Sequence, residues 1–200
     1  LQAITTAQVA GMSSGQLKAL STAQVASLSV SQVQAIETAD LKEMTTDQVA
    51  AFSATNVAAL KTAQISNMTT AQVAALTTDQ LQSLTTAQVV SFKTAQIAAL
   101  TTAQAAKLTT LQLNTLSATQ VAAITTTNLA TLTTTQLQGV NATSIKSLTT
   151  AQITSLGGLG TAQVSGLSTA QIAALTTSQI TAFTSAQVSI LGSTQLAALS

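Results

Sequence analysis

The chain has 200 residues, 6% charged, 46% apolar and 2% aromatic, with a formal net charge of +1. Scattered Lys without Arg, and few aromatics, give neither a basic stripe for phosphates nor a stacking platform for bases, which excludes an ordinary nucleic-acid binder. With no Cys and no His there is no disulfide framework, no thiolate metal site and no imidazole base.

From Ile4 a large apolar residue returns every eight positions through Met12, Leu20 and Leu28 to Leu156. It resumes at Leu167 after three extra residues and runs through Leu175, Phe183 and Leu191 to Leu199. A period this strict signals a repeat architecture, in which each unit buries its apolar side against its neighbours. With this residue numbered place one, place six is Val, Ile or Leu everywhere except at Ala105. All three Phe and all three Met fall at place one, and no Lys, Asp or Glu occupies places one, three or six. Bulk varies there while apolarity does not, as at core positions. The mean hydropathy is positive, yet Thr-Thr and Gln recur too often for any stretch to reach the roughly 18 apolar residues of a membrane-spanning helix.

The first octad already carries the signal for its local structure, Thr5-Thr6-Ala7-Gln8 ahead of Val9. Thr-x-x-Gln before an apolar residue is a capping box: the Thr oxygen accepts from the amide of the third helical residue, and the Gln reaches back to the Thr amide. Place five is Gln in all but four octads, where it is Asp40, Asn56, Asn128 and Ser144. Where place three is Val30, Ala54, Ala118 or Ala142, place two supplies Ser29, Ser53, Ser117 or Asn141 as the cap. Where place two is Glu37, Lys61 or Lys93, the following Thr38, Thr62 or Thr94 is expected to cap instead.

The expected fold is all-α, a solenoid of short capped helices built from 8-residue repeats, with a β-solenoid as the alternative because Thr and Val suit strands. Places one and six have opposite parity, however, and a strand puts residues of equal parity on one face. One unbroken helix fails differently: eight residues at about 100° each overshoot two turns by roughly 80°, so the apolar stripe would spiral around the rod. A lone octad cannot fold either. Burying one Leu and one Val contributes about 4 kcal/mol, whereas ordering eight residues costs on the order of 8 kcal/mol or more.

Further along, Glu37, Asp40, Glu43 and Asp47 form the one acidic cluster. Oxygen ligands suit calcium, but the Asp/Gly loop pattern is missing, and acids in a helix's first turn are favoured by its dipole. Asp47 and Asp79 share place four, and each precedes a place-two Lys, Lys61 or Lys93, by fourteen residues. If two helices made one coil these charges would lie on adjacent coils; a four-octad duplication explains them equally. Asn67-Met68-Thr69 and Asn141-Ala142-Thr143 read as glycosylation sequons, which a Thr-rich chain produces by chance. The Gln column allows a second role beside capping, a ladder of amides bonding between coils.

The irregular stretch Leu156-Gly157-Gly158-Leu159-Gly160-Thr161 is expected to form a kink or bulge. A phosphate-cradling loop is disfavoured there because no Lys follows and no strand precedes it. Three segments result: regular octads over 1–155, a Gly-containing irregular repeat over 156–166, and regular octads over 167–200, expected to be one continuous solenoid cut from a longer chain.

At the level of Leu84 to Val89 or Leu148 to Ile153, Leu-Thr-Thr-Ala-Gln-Val/Ile, the chain resembles octapeptide arrays of very large, low-charge proteins of Gram-negative bacteria, often secreted or surface-attached and adhesin-like. The resemblance covers nearly the whole chain and implies a repeat class without catalytic residues to carry over. No catalytic, cofactor-binding or metal-ligating residue is expected, and no nucleophilic triad can be assembled without a base. The expected role is structural, an extracellular or cell-surface filament, stalk or adhesive fibre that self-associates. A Thr/Ser/Ala-rich face recognising ice or a carbohydrate surface is the alternative.

Overall fold

The computed structural model describes residues 4–156 and 162–199. Each octad forms one short α-helix, and no strand occurs among the described residues, so the all-α expectation holds and the β-solenoid does not form. The chain divides into two units, Leu1–Ala99 and Leu100–Ser200.

The first unit contains α1 (Thr6–Ala10), α2 (Ser14–Lys18), α3 (Thr22–Ala26), α4 (Val30–Ala35), α5 (Thr38–Glu43) and α6 (Thr46–Ala50). It continues with α7 (Ala54–Ala59), α8 (Thr62–Asn67), α9 (Thr70–Ala75), α10 (Thr78–Ser83), α11 (Thr86–Val90) and α12 (Thr94–Ala98). The second unit contains α13 (Thr102–Ala105), α14 (Thr110–Thr115), α15 (Ala118–Ala122), α16 (Thr126–Thr131), α17 (Thr134–Gly139) and α18 (Ala142–Ile145). It continues with α19 (Thr150–Ser155), α20 (Ala162–Ser165), α21 (Thr169–Ala173), α22 (Thr177–Thr181), α23 (Ser185–Ser189) and α24 (Ser193–Ala197).

Most of the described helices start at a capping box. In α9 the Thr69 side chain accepts from the Gln72 amide at 3.1 Å, and Gln72 Oε1 accepts from the Thr69 amide at 2.9 Å. The far end closes on the next place-one residue: the Leu76 amide donates to the Val73 carbonyl at 3.2 Å while Leu76 itself turns extended, with ψ 136°. Helices this short are marginal alone, so their stability comes from packing.

That packing is regular. In the first unit each helix lies against the one three octads earlier, as α4 on α1, α6 on α3 and α9 on α6. The second unit repeats the rule, with α16 on α13, α17 on α14 and α19 on α16. A coil therefore takes about three helices, which corrects the two-helix coil considered from the charge spacing. Asp47 in α6 and Lys61 before α8 belong to helices two apart, which do not stack on each other, so the Asp–Lys spacing marks no contact between coils.

Places one and six make the core, as in Val73 and Leu76, Leu81 and Leu84, or Leu129 and Leu132, all buried. Ala105, the one small residue at place six, is buried there as well. Among the described glycines, Gly139 is the one closely backed by another helix: an added Cβ would fall 2.8 Å from the Thr110 carbonyl oxygen and 2.9 Å from its Cα. Backbone cannot yield as a side-chain tip does, so α17 would have to move off α14. Gly139→Ala should therefore cost about 1–3 kcal/mol despite the better helix propensity of Ala, read as a lower melting temperature. An unchanged or raised value would show that the contact relaxes freely.

Candidate functional site: the buried glutamine ladder

The polar interior is built from place five. Gln72 is 2% exposed, and its neighbours Gln64, Gln80, Gln88 and Gln96 are equally buried. The cap uses only the amide oxygen; the amide nitrogen points the other way, into the end of the helix four octads earlier. Gln72 Nε2 donates to the carbonyls of Met44 and Leu41, each at 2.8 Å, at the end of α5. Gln64 does the same to Ile36 and Val33, Gln88 to Leu60 and Val57, and Gln96 to Met68 and Ile65.

These acceptors need a donor. The place-one residue stands between two helices, so its carbonyl takes no intrahelical hydrogen bond, and a buried carbonyl left unpaired costs about 1–3 kcal/mol. One Gln thus satisfies a helix start with its oxygen and a helix end with its nitrogen. The bond to the place-one carbonyl spans 28 residues, three and a half octads. It ties each helix to the coil below while the apolar places cover each other. The ladder anticipated between amides is thereby corrected: in these rungs the amides bond to backbone carbonyls rather than to one another.

The exceptions to Gln follow from this role. Asn56 reaches the Leu28 carbonyl at 2.9 Å, Asn128 reaches Leu100 at 2.6 Å, and Ser144 reaches Leu116 at 3.3 Å. All three keep a donor. Asp40 cannot, since an ionised carboxylate carries no hydrogen. We expect Asp40→Gln to supply the missing rung and the missing half of the cap on α5, raising stability by about 1 kcal/mol. Urea titration measures this, and a loss of stability would mean that the site has no room for the amide.

The cap expectation needs one correction. At Glu37, Lys61 and Lys93 the helices still begin one residue later, so Thr38, Thr62 and Thr94 are their first residues rather than their caps. The Lys61 and Lys93 amides still donate to Gln64 and Gln96 Oε1, at 2.8 and 2.7 Å. α5 begins in the same register with no side-chain cap bond and no rung from Asp40, so neither the cap nor the ladder is needed to place a helix start that the octad's period already sets. Ser29, Ser53, Ser117 and Asn141 do cap as expected.

Of the other sequence candidates, Glu37 precedes α5, Asp40 lies in its first turn and Asp47 in that of α6. Among the described residues no group of three acidic side chains is arranged to hold a metal ion. Asn67 Nδ2 donates to the Ala63 carbonyl, and Asn141 Oδ1 accepts from the Thr143 amide and hydroxyl. The expected bulge at 157–161 lies outside the described residues. Its effect on register is nonetheless visible around it: bonds that cross it lengthen by the three inserted residues, Gln171 to Val140 and Gln179 to Leu148 spanning 31. Gln195 to Leu167, which does not cross it, spans 28 again. The insertion leaves the order of rungs intact. Gln163 Oε1, next to it, is buried without a partner.

A family model for the ALTTAQ repeat matches residues 1–30, 33–70, 57–86, 73–110 and 156–185, more than half of the chain. The chain belongs to the ALTTAQ repeat family. No curated protein matches it. In this structure the Ala-Leu-Thr-Thr-Ala-Gln signature acquires a physical meaning: Leu fills the core and carries the orphan carbonyl, Thr caps, and Gln joins the cap to the coil below. No helix of the ALTTAQ array is long and apolar enough to cross a membrane, among the described residues.

Proposed function

We propose that this ALTTAQ array is a structural element of an extracellular filament, stalk or adhesive fibre at a bacterial surface, in the adhesin-like setting of the arrays it resembles. The observation that carries the reading is the uniformity of the ladder. Most of the described rungs join a place-five donor to the place-one carbonyl on the coil below, so adding octads adds length while repeating the same interface. The exterior is Thr, Ser and Ala with few charges, a surface suited to lateral contact rather than to chemistry. In this reading the chain carries no reaction and binds no nucleic acid. Electron microscopy of the native source with antibodies against this segment tests it. Labelling along extracellular fibres is expected, and labelling confined to the cell interior would overturn it.

One observation favours a second reading, recognition of ice or a carbohydrate surface. Thr22, Thr46, Thr70 and Thr94 open α3, α6, α9 and α12, a set stacked every third helix, and all four are exposed. Ice-shaping or glycan binding by purified, monomeric protein would establish that reading over the structural one.

A further inference from the structure

Charge is scarce in this chain and unevenly placed. Six of the nine charged residues of the first unit belong to one stack of helices, α2, α5 and α8, each packed on the next. Lys18 lies in α2, Glu37, Asp40, Lys42 and Glu43 in the octad of α5, and Lys61 just before α8. The net sign alternates along the stack: +1 at α2, −2 at α5 with its three acids and one Lys, and +1 at α8. α11, the next helix of the stack, carries none.

These charges stand outward. Asp40 is half-buried and the other five are exposed. Glu37 and Lys61 share place two on stacked helices, yet among the described residues no ion pair joins any of the six. The same stack carries Val90, at place seven of α11, the one large apolar side chain exposed among the described residues of the first unit, at 49%. Alternating charge and an apolar side chain on one edge favour a partner that alternates in the opposite order.

A second copy supplies that order in one arrangement. Two copies laid side by side can be related by a two-fold axis along the stack or by one along the helices. The first sets α5 on the partner's α5, like charge on like. The second reverses the stack but keeps the direction of each helix, so equal places meet. With that axis between α5 and α8, Glu37 faces the partner's Lys61 and Lys61 the partner's Glu37, both at place two. Val90 then meets the partner's Lys18, both at place seven, and the Lys methylenes can cover it while the ammonium stays in water. With the axis between α2 and α5, Lys18 would face the partner's Lys42 instead, cation on cation.

We propose that the edge formed by α2, α5, α8 and α11 binds a second copy of this chain, antiparallel, with the two-fold axis between α5 and α8. The charges set partner and register rather than supplying most of the affinity. The contact is isologous, so through this edge it closes at two copies. It rests on the structural-element reading and names the side-by-side contact within it; its test is made in solution on the purified chain, so it can fail while the labelling of native fibres succeeds, or the reverse.

Sedimentation velocity over a concentration series, at low and at high salt, tests the edge. Wild-type chain is expected to show a monomer–dimer equilibrium that weakens as salt rises. Lys61→Glu sets −1 against −2 at both contacts, and Glu37→Lys with Glu43→Lys sets +2 against +1. Each variant alone should dimerise about tenfold more weakly or worse at low salt. Mixed, they should recover a dimer near wild-type strength with one copy of each, because −2 then faces +1 and −1 faces +2. Folding is not at stake: Lys already occupies place two at Lys61 and Lys93, Glu occupies it at Glu37, and Lys occupies place eight at Lys107. Unchanged melting temperatures of the variants check this. A wild-type chain that stays monomeric at low salt, variants that dimerise as tightly as wild type, or a mixture that recovers nothing overturns the proposal.

Discussion

Val73→Asp should cost on the order of 5 kcal/mol or more, the largest effect of any single substitution considered. Val73 is 0% exposed at place six of α9. The change forfeits about 1.5–3 kcal/mol of apolar burial and sets a carboxylate among apolar groups, without a cation to pair it. Ala71→Asp, two residues earlier on the same helix, should stay within about 0.5 kcal/mol of wild type. Ala71 is exposed at place four, where Asp47 and Asp79 already stand. The helix dipole favours an acid there, and Asp47 on the stacked helix α6 offsets part of that gain by repulsion across solvent. The contrast in melting temperature is the test: equal losses would mean that the inner and outer places are wrongly assigned.

That contrast could be written down from the octad because its two apolar places, five and then three apart, fit neither a strand nor a continuous helix. Only a helix restarted every eight residues keeps both places on one side, and the Thr-x-x-Gln box supplies the restart. Helix positions, core residues and the all-α class were therefore legible at Met68 to Leu76 as at any other octad. The number of helices in a coil was not. It depends on the turn made at each place-one residue, where Leu76 becomes extended at ψ 136°, and that angle leaves no mark on an apolar period.

The ladder was half legible. A polar place so constant in residue type announced a role beyond capping, and the substitutes Asn56, Asn128 and Ser144 all keep a hydrogen to donate. The partner was hidden because it is backbone: the carbonyls of Met44 and Leu41 have no side-chain signature. The same blindness produced the expectation that Thr62 and Thr94 would cap in place of Lys61 and Lys93. A local rule ranks capping side chains, but α5, α8 and α12 all keep the octad register, α5 without any rung, so the apolar period that buries places one and six outweighs a local capping preference worth about 1 kcal/mol.

Gln72→Glu isolates the ladder from the cap and from the core. The substitution keeps shape and the oxygen that accepts from Thr69, but at neutral pH it replaces the Nε2 donor by a second oxygen facing the carbonyls of Leu41 and Met44. The buried Met44 carbonyl loses its donor, the Leu41 carbonyl keeps only the Met44 amide, and both meet a charge of their own sign, so stability should fall by about 3 kcal/mol or more. The pH dependence gives the mechanism. Burial against carbonyls raises the folded-state pKa of the introduced carboxyl above its unfolded value of about 4.3. The protonated acid can donate to one carbonyl, so most of the lost stability should be present below that unfolded value and disappear as pH rises through the raised folded value. Wild-type chain, with Gln72 uncharged throughout, should show no such step from this site. Urea melts of both proteins across this range decide the matter: a penalty for Gln72→Glu that does not change with pH would show that the place-five nitrogen is a spectator and that packing alone holds one coil on the next.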